Sequence, residues 1–304
     1  MFIINPDIYS LPCYRIGPFT TKDLSLNAAI PDNNAIDLYF KKRFGNEQYI
    51  YTANGRQAIN AALEYYKLQK DDVVTILTTT NNFYISGCVT KEIEKFCKWS
   101  RNFEDATKII FVNHEFGYPY PNLSALKKYN LPIIEDCANS FFSIDEANTI
   151  GNVGDFVIYS FPKIFPVQIG GLLKINVPHF RADDYLEEAN LKQYIKNVLS
   201  KYISEETAIK AKRISNYIYL QKKYAQLELL PRFPLADQII PGVFMFRVAN
   251  DSIDLSLMKQ HFYNHGIQCS VFYGERSFFI PCHQNLEEAD LDYFTEVIKV
   301  FLRK

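Results

Sequence analysis

Apolar positions along the chain follow two periods. Residues 35–44 carry them at helical spacing, and Ala58-Ile-Asn-Ala-Ala-Leu-Glu-Tyr-Tyr continues a second, strongly apolar helix just after Asn54-Gly55. Short apolar runs at residues 73–77, 109–112, 133–134, 156–160 and 171–175 predict strands, with helical stretches near 83–89 and 123–129 between them. Near-continuous apolar strands alternating with helices predict a mostly parallel sheet covered on both faces. Beyond about Pro178 the pattern changes: residues 181–230 are rich in Lys, Glu and Tyr and read as helical throughout. A strand at 243–248, a helix at 255–265, a strand at 268–272 and a terminal helix from Leu286 complete a smaller α/β unit. The first thirty residues, broken by Pro6, Pro12, Gly17, Pro18 and Pro31, read as an arm laid over the body or over a partner subunit. The expected organisation is an arm at 1–30, a large domain at 31–178, and a helical segment with a small C-terminal α/β domain at 179–304.

Composition narrows the partners. The 304 residues are 48% hydrophobic and 22% charged, enough for a large core. Thirty-three basic residues against thirty-four acidic ones leave a net charge of -1, so no overall basic field exists to hold a phosphate backbone or anionic lipid. Neither nucleic acid nor a membrane is an expected partner. The six cysteines are scattered without a C-x-x-C pair, and no metal site is expected. Because Met1-Phe-Ile-Ile-Asn-Pro lacks the basic and long apolar regions of a signal peptide, a soluble, cytoplasmic protein is expected.

Three segments could carry chemistry. In Asn54-Gly55-Arg56-Gln57 a glycine opens an apolar helix, whose N-terminus offers backbone N–H groups and the positive dipole end to a phosphate; most such turns bind nothing. In Ile133-Ile134-Glu135-Asp136-Cys137-Ala138-Asn139 a strand ends at a carboxylate, where an open α/β sheet places its ligands; capping the next helix is an equally good reading. Lys163 is the single charge between residues 156 and 173. Burying it charged would be costly, which favours an amine that can give up its proton and act as a nucleophile. The alternative is a surface lysine in an apolar hairpin loop.

The order of these pieces is more specific than any one of them. The glycine at the helix start, Thr80-Asn-Asn-Phe83, His114-Glu-Phe-Gly117-Tyr-Pro119, Glu135-Asp136-Cys-Ala-Asn139, Gly154-Asp155, Ser160-Phe161, Lys163 and Gly170-Gly171 resemble the DegT/DnrJ/EryC1/StrS sugar aminotransferases. These are fold-type I pyridoxal-phosphate enzymes, and Phe279-Ile-Pro-Cys-His-Gln-Asn resembles part of their closing segment. The resemblance implies a large domain built on a mostly parallel seven-stranded sheet plus a smaller C-terminal α/β domain. It implies pyridoxal 5′-phosphate as cofactor, a nucleotide-linked keto sugar and an amino donor, glutamate, as substrates, and a homodimer.

Residue by residue, the resemblance makes Lys163 the cofactor-bearing lysine and Asp136 the partner of the pyridine nitrogen. Phe83 would stack on the ring, and Asn139 would lie near its phenolic oxygen. Gly55, Arg56 and Ser160 would hold the phosphate, and Arg276 is a candidate anchor for an anionic group of the substrate. Three departures stand out. Arg56 replaces a small hydroxyl residue; it could give its amide, or its guanidinium could take over the phosphate. Ser160 lies three positions before Lys163, closer than is usual in the family. The helical run after Ile175 also replaces a stretch that usually supplies substrate contacts. Two other readings therefore accompany the aminotransferase: a non-catalytic relative that binds a ligand or partner, and a dehydratase, against which Lys163 argues because such members typically carry histidine there.

Overall fold

The computed structural model describes residues 13–45, 48–181 and 188–303, so residues 1–12 of the expected arm lie outside the described residues. Seven strands, β1 (Gln48–Thr52), β2 (Val73–Thr78), β3 (Lys98–Ser100), β4 (Thr107–Asn113), β5 (Ile133–Asp136), β6 (Phe156–Ser160) and β7 (Gly171–Ile175), form one sheet in the order β1-β7-β6-β5-β4-β2-β3. Pairing is parallel except at β7, which runs against both β6 and β1. Alternation along the strands builds a core on each face. In β6, Val157 and Tyr159 pack with Ile36 and Phe40, of α2 (Ala35–Phe44), while Phe156 and Ile158 pack with Ala58, Ala62 and Leu63, of α3 (Gly55–Tyr65).

Three further strands, β8 (Phe244–Arg247), β9 (Ser270–Phe272) and β10 (Ser277–Ile280), make an antiparallel sheet in the order β8-β10-β9. Its core includes Tyr217, Leu220 and Tyr224 of a helix at Glu206–Ala225, Met258 and Phe262 of one at Leu255–Asn264, and Leu291, Phe294 and Ile298 of one at Glu288–Leu302. In chain order the remaining helices are α1 (Lys22–Ala28), α4 (Gly87–Ile93) and α5 (Ala189–Ile203), so the three just named are α6, α7 and α8. The side chains of α5, Ile195, Val198 and Leu199, join the core on the α2 face of the large sheet. Among the described residues no helix is long and apolar enough to cross a membrane.

The elements differ from the sequence pattern where tertiary pairing or turn chemistry decides. Edge strands β1 and β3 and the strand β10 carry no long apolar run. The expected helix near 83–89 starts only at Gly87: Asn82 Oδ1 accepts from Tyr84 N at 2.6 Å, an Asx turn that holds residues 82–84 out of the helix, and Ser86 Oγ caps the helix. Residues 123–129 form a 3-10 helix, and α1 occupies part of the supposedly irregular arm.

What remains of the arm is fastened over the loop that holds Lys163. Tyr14 pairs with Ile267, and Asn285 Nδ2 donates to Pro18 O at 3.0 Å. A side chain at Gly17 would run into Pro162 O. Buried His283 lies at 3.1 Å from Arg15 O through Nε2, while its Nδ1 accepts from Asn285 N at 3.2 Å, so the neutral Nε2–H tautomer fits and a second ring proton would oppose a backbone N–H. Burial, with the charge of Arg213 adding to it, pushes His283 down to about 3. The folded value lies below the ordinary one, so the unfolded chain takes up the proton first and stability is lost as pH falls from about 6.5 towards 3. Urea denaturation between pH 7.5 and 4.5 should show stability falling by up to about 1 kcal/mol per pH unit in the lower part of that range, and less steeply in His283→Gln. Equal slopes would contradict this role.

Candidate active site

Parallel pairing brings the ends of β4, β5 and β6 out along one edge. Asn113 stands opposite Asp136, and Asp136 opposite Ile158, two residues before Ser160. Asp136 is buried; its Oδ2 accepts from Asn113 Nδ2 at 3.1 Å and its Oδ1 from Ala138 N at 3.0 Å. Burial pushes its carboxyl up, opposed by the Ala138 N–H, the Lys163 charge and the Asn113 amide.

Its neighbour Glu135 points to the opposite face, as alternation requires. Glu135 accepts from Gly151 N at 2.7 Å, Val153 N at 2.9 Å and Gly154 N at 2.6 Å. It also receives the Nε2–H of His114 at 3.1 Å, because His114 Nδ1 is already accepting from Tyr120 N. Burial raises the Glu135 carboxyl, but these donors outweigh it and leave it below the ordinary value. The tandem acids therefore divide: Glu135 pins the loop before β6, and Asp136 joins Asn113 and Ala138 at the strand ends. The ligand atoms of His114, Glu135 and Cys137 lie within 4.8 Å of one another, and the first two are already joined by a hydrogen bond. Gly117, at φ +102, lets the segment after His114 pass against Ile240 O, and Gly242 N donates to Phe116 O at 2.7 Å.

The helix that follows β1 completes another side. Asn54 caps α3 by accepting from Gln57 N at 3.1 Å. A Cβ on Gly55 would lie 3.4 Å from Ser160 Cβ, so the helix start and the end of β6 meet. That approach depends on β7: a Cβ on Gly171 would lie 2.7 Å from Thr52 Oγ1 and 2.8 Å from Asn54 C, and Gly170 N donates to Ala53 O at 2.7 Å. Arg56, in the first turn of α3, is exposed.

Lys163 sits in the hairpin between β6 and β7. Around it Phe161, Ile164, Phe165 and Val167 turn into the core, while Lys163 itself is exposed on the wall of a cavity of about 250 Å³. Of the two readings of this segment, the structure has the lysine exposed in an apolar hairpin loop, not the buried amine. Asn113, Asn139, Tyr84, Glu115 and Gln268 also line this cavity.

Of the expected site residues Lys163 and Asn139 line this cavity; Asp136, Gly55, Arg56 and Ser160 do not, and neither do Phe83 and Arg276. Phe83 is 68% exposed and does not line the cavity; the Asx turn at Asn82 presents Tyr84 in its place. Arg276 is engaged in fold contacts: it donates to Val248 O at 3.2 Å and to Asn250 O and Ile253 O at 2.7 Å each, and pairs with Asp251 at 3.1 Å. It ties down the loop after β8 and does not line the cavity. Tyr84 and Asn113 were missed. Asn113 could have been found as the polar end of the strand beside β5, whereas Tyr84 depends on a turn that one residue's shift would reverse.

Comparison with known proteins agrees with this layout. A family described as "Putative PLP-dependent aminotransferase" matches residues 36–229, well over half of the chain and including α5 and α6. The dTDP-3-amino-3,6-dideoxy-alpha-D-galactopyranose transaminase of Aneurinibacillus thermoaerophilus is 29% identical over 143 residues, a match that takes in 40% of this chain and 39% of that relative. Among solved structures, the aminotransferase TlmJ from Streptoalloteichus hindustanus superposes with a TM-score of 0.74 at 14% identity, covering 93% of this chain and 94% of its own. A DegT DnrJ EryC1 StrS aminotransferase from Brucella abortus gives a TM-score of 0.68 at 15% identity, with the same shares covered. The chain belongs to this family of PLP-dependent aminotransferases, on the fold of the DegT/DnrJ/EryC1/StrS sugar aminotransferases.

Proposed function

We propose that the protein uses pyridoxal 5′-phosphate to move an amino group from glutamate to a keto sugar carried on a nucleotide. The observation that carries this reading is an exposed amine, Lys163, on the wall of a cavity whose Asn113 holds the buried carboxylate Asp136, close enough for the Lys163 charge to act on it. The residues present fit the cofactor: an amine for its aldehyde, an acid for its ring nitrogen, an aromatic wall at Tyr84, and a helix N-terminus beside Ser160 for its phosphate.

When bound, the cofactor supplies an electron sink for the charge that develops on the substrate carbon. Asp136, held by Asn113 and Ala138, would sit against the ring nitrogen and favour a proton there. Lys163 would hold the cofactor through its amine, and the same amine, free, could carry the proton of the substrate carbon. Gly55 and Arg56 offer backbone N–H groups and Ser160 its hydroxyl to the phosphate, while Asn139 orients the ring from the cavity wall. Asn113, Ser270 and Gln268 line the same cavity with polar groups suited to sugar hydroxyls. The transaminase relative, named for a dTDP-linked amino sugar, supports that substrate class. A homodimer working in the cytoplasm completes the proposal and rests on the family resemblance.

Loaded with pyridoxal phosphate, the protein should show a visible absorbance band that Lys163→Ala lacks and that glutamate converts. A colourless wild-type protein would sink the proposal. A second expectation concerns the cofactor-free protein, in which Asp136 holds its proton more tightly folded than unfolded. Its charge therefore costs stability above the folded value, and the cost fades as pH falls through it. Asp136→Asn should melt a few degrees higher than wild type at pH 7.5, lose that advantage at acid pH, and bind cofactor on the order of tenfold or more weakly. A lower melting temperature with unchanged cofactor affinity would refute both halves.

A further inference from the structure

Arg213, on α6, is fully buried at 0% exposure, and among the described residues its guanidinium has no carboxylate partner. Its N–H groups go to neutral acceptors. Nε donates to Gln284 Oε1 at 2.8 Å, Nη1 to Pro241 O at 3.3 Å, and Nη2 to Lys163 O at 2.9 Å and Ile164 O at 3.4 Å. Gln284 reinforces the grip, donating through Nε2 to Ile164 O at 2.8 Å. A buried cation without a counter-ion is costly, and an apolar side chain of similar volume usually fills such a place at lower cost.

The acceptors indicate what the cation maintains. Residues 161–163 form a single 3-10 turn, with Ile164 N and Phe165 N both closing on Phe161 O, and the carbonyls of Lys163 and Ile164 emerge at its end. A planar fork reaching two consecutive carbonyls fixes the peptide plane between them. That plane sets the direction in which the Lys163 side chain leaves the backbone. The turn follows Ser160 directly, so a short loop must deliver the lysine, and it has no slack with which to correct its aim.

We propose that Arg213, braced by Gln284, is a positioning residue that aims Lys163 into the cavity and so sets how the lysine holds the cofactor. The inference rests on the cofactor reading of Lys163. Arg213 acts entirely through the backbone of the loop, from a helix that contributes no side chain to the cavity wall.

The test uses the full chain loaded with pyridoxal phosphate, comparing wild type with Arg213→Met, Arg213→Lys and Gln284→Leu. Three quantities are read: the pH midpoint of the visible band, the dissociation constant for pyridoxal phosphate, and the melting temperature without cofactor. Arg213→Met should shift the midpoint by about one pH unit and weaken cofactor binding about tenfold. Gln284→Leu should shift both in the same direction by less, and Arg213→Lys should recover part of each. If Arg213→Met does not fold, Gln284→Leu and Arg213→Lys carry the same criterion. Changed melting temperatures with a wild-type band and affinity would overturn the inference alone, whereas a wild type without the band would overturn the cofactor reading and this inference with it.

Discussion

The hydrogen bond from Asn113 to Asp136 exists because β4 and β5 pair in parallel with their last residues side by side. Parallel strands end at a common edge, so one register places the acid, its partner amide and, one strand further, Ser160 within a single rim. The same pleat turns Glu135 to the other side, where backbone N–H groups and His114 consume its charge. A slip of one residue would exchange the two acids, putting the longer Glu135 at the rim and the shorter Asp136 towards the loop before β6, each out of register with its present partners.

The one reversed strand contributes the rest. Because β7 runs against β6, a hairpin returns beside the rim and carries Lys163 over it. Gly170 and Gly171 let that hairpin press against the turn into α3, which is what brings the helix start to Ser160. The hairpin is then held from outside by groups distant in sequence: the arm at Gly17, the His283 and Asn285 contacts, and the Arg213–Gln284 pair. Reactive geometry at Lys163 is thus a product of tertiary packing more than of its own loop.

Legibility in the sequence follows the range of the forces involved. Buried strands and the long helices were readable because hydrophobic period is local, and Asp136 was readable because a strand ending in an acid is local too. Edge strands β1 and β3 were not, since cross-strand partners define them. That Tyr84 and not Phe83 lines the cavity was not legible, because the Asx turn at Asn82 is a matter of one side-chain hydrogen bond. Arg276 looked like an anion anchor because a sequence shows a charge but not the three carbonyls that occupy it. Arg213 gave no signal at all, as an arginine in a Lys-rich helix reads as solvated until the fold buries it.

The central claim is that Lys163 is the amine this fold presents to the cofactor. Borohydride reduction of the protein loaded with pyridoxal phosphate, followed by proteolysis and mass spectrometry, tests it most directly. The account predicts one cofactor adduct, on the peptide containing Lys163. Adducts spread over surface lysines in proportion to their exposure, with Lys163 no more modified than the others, would contradict it.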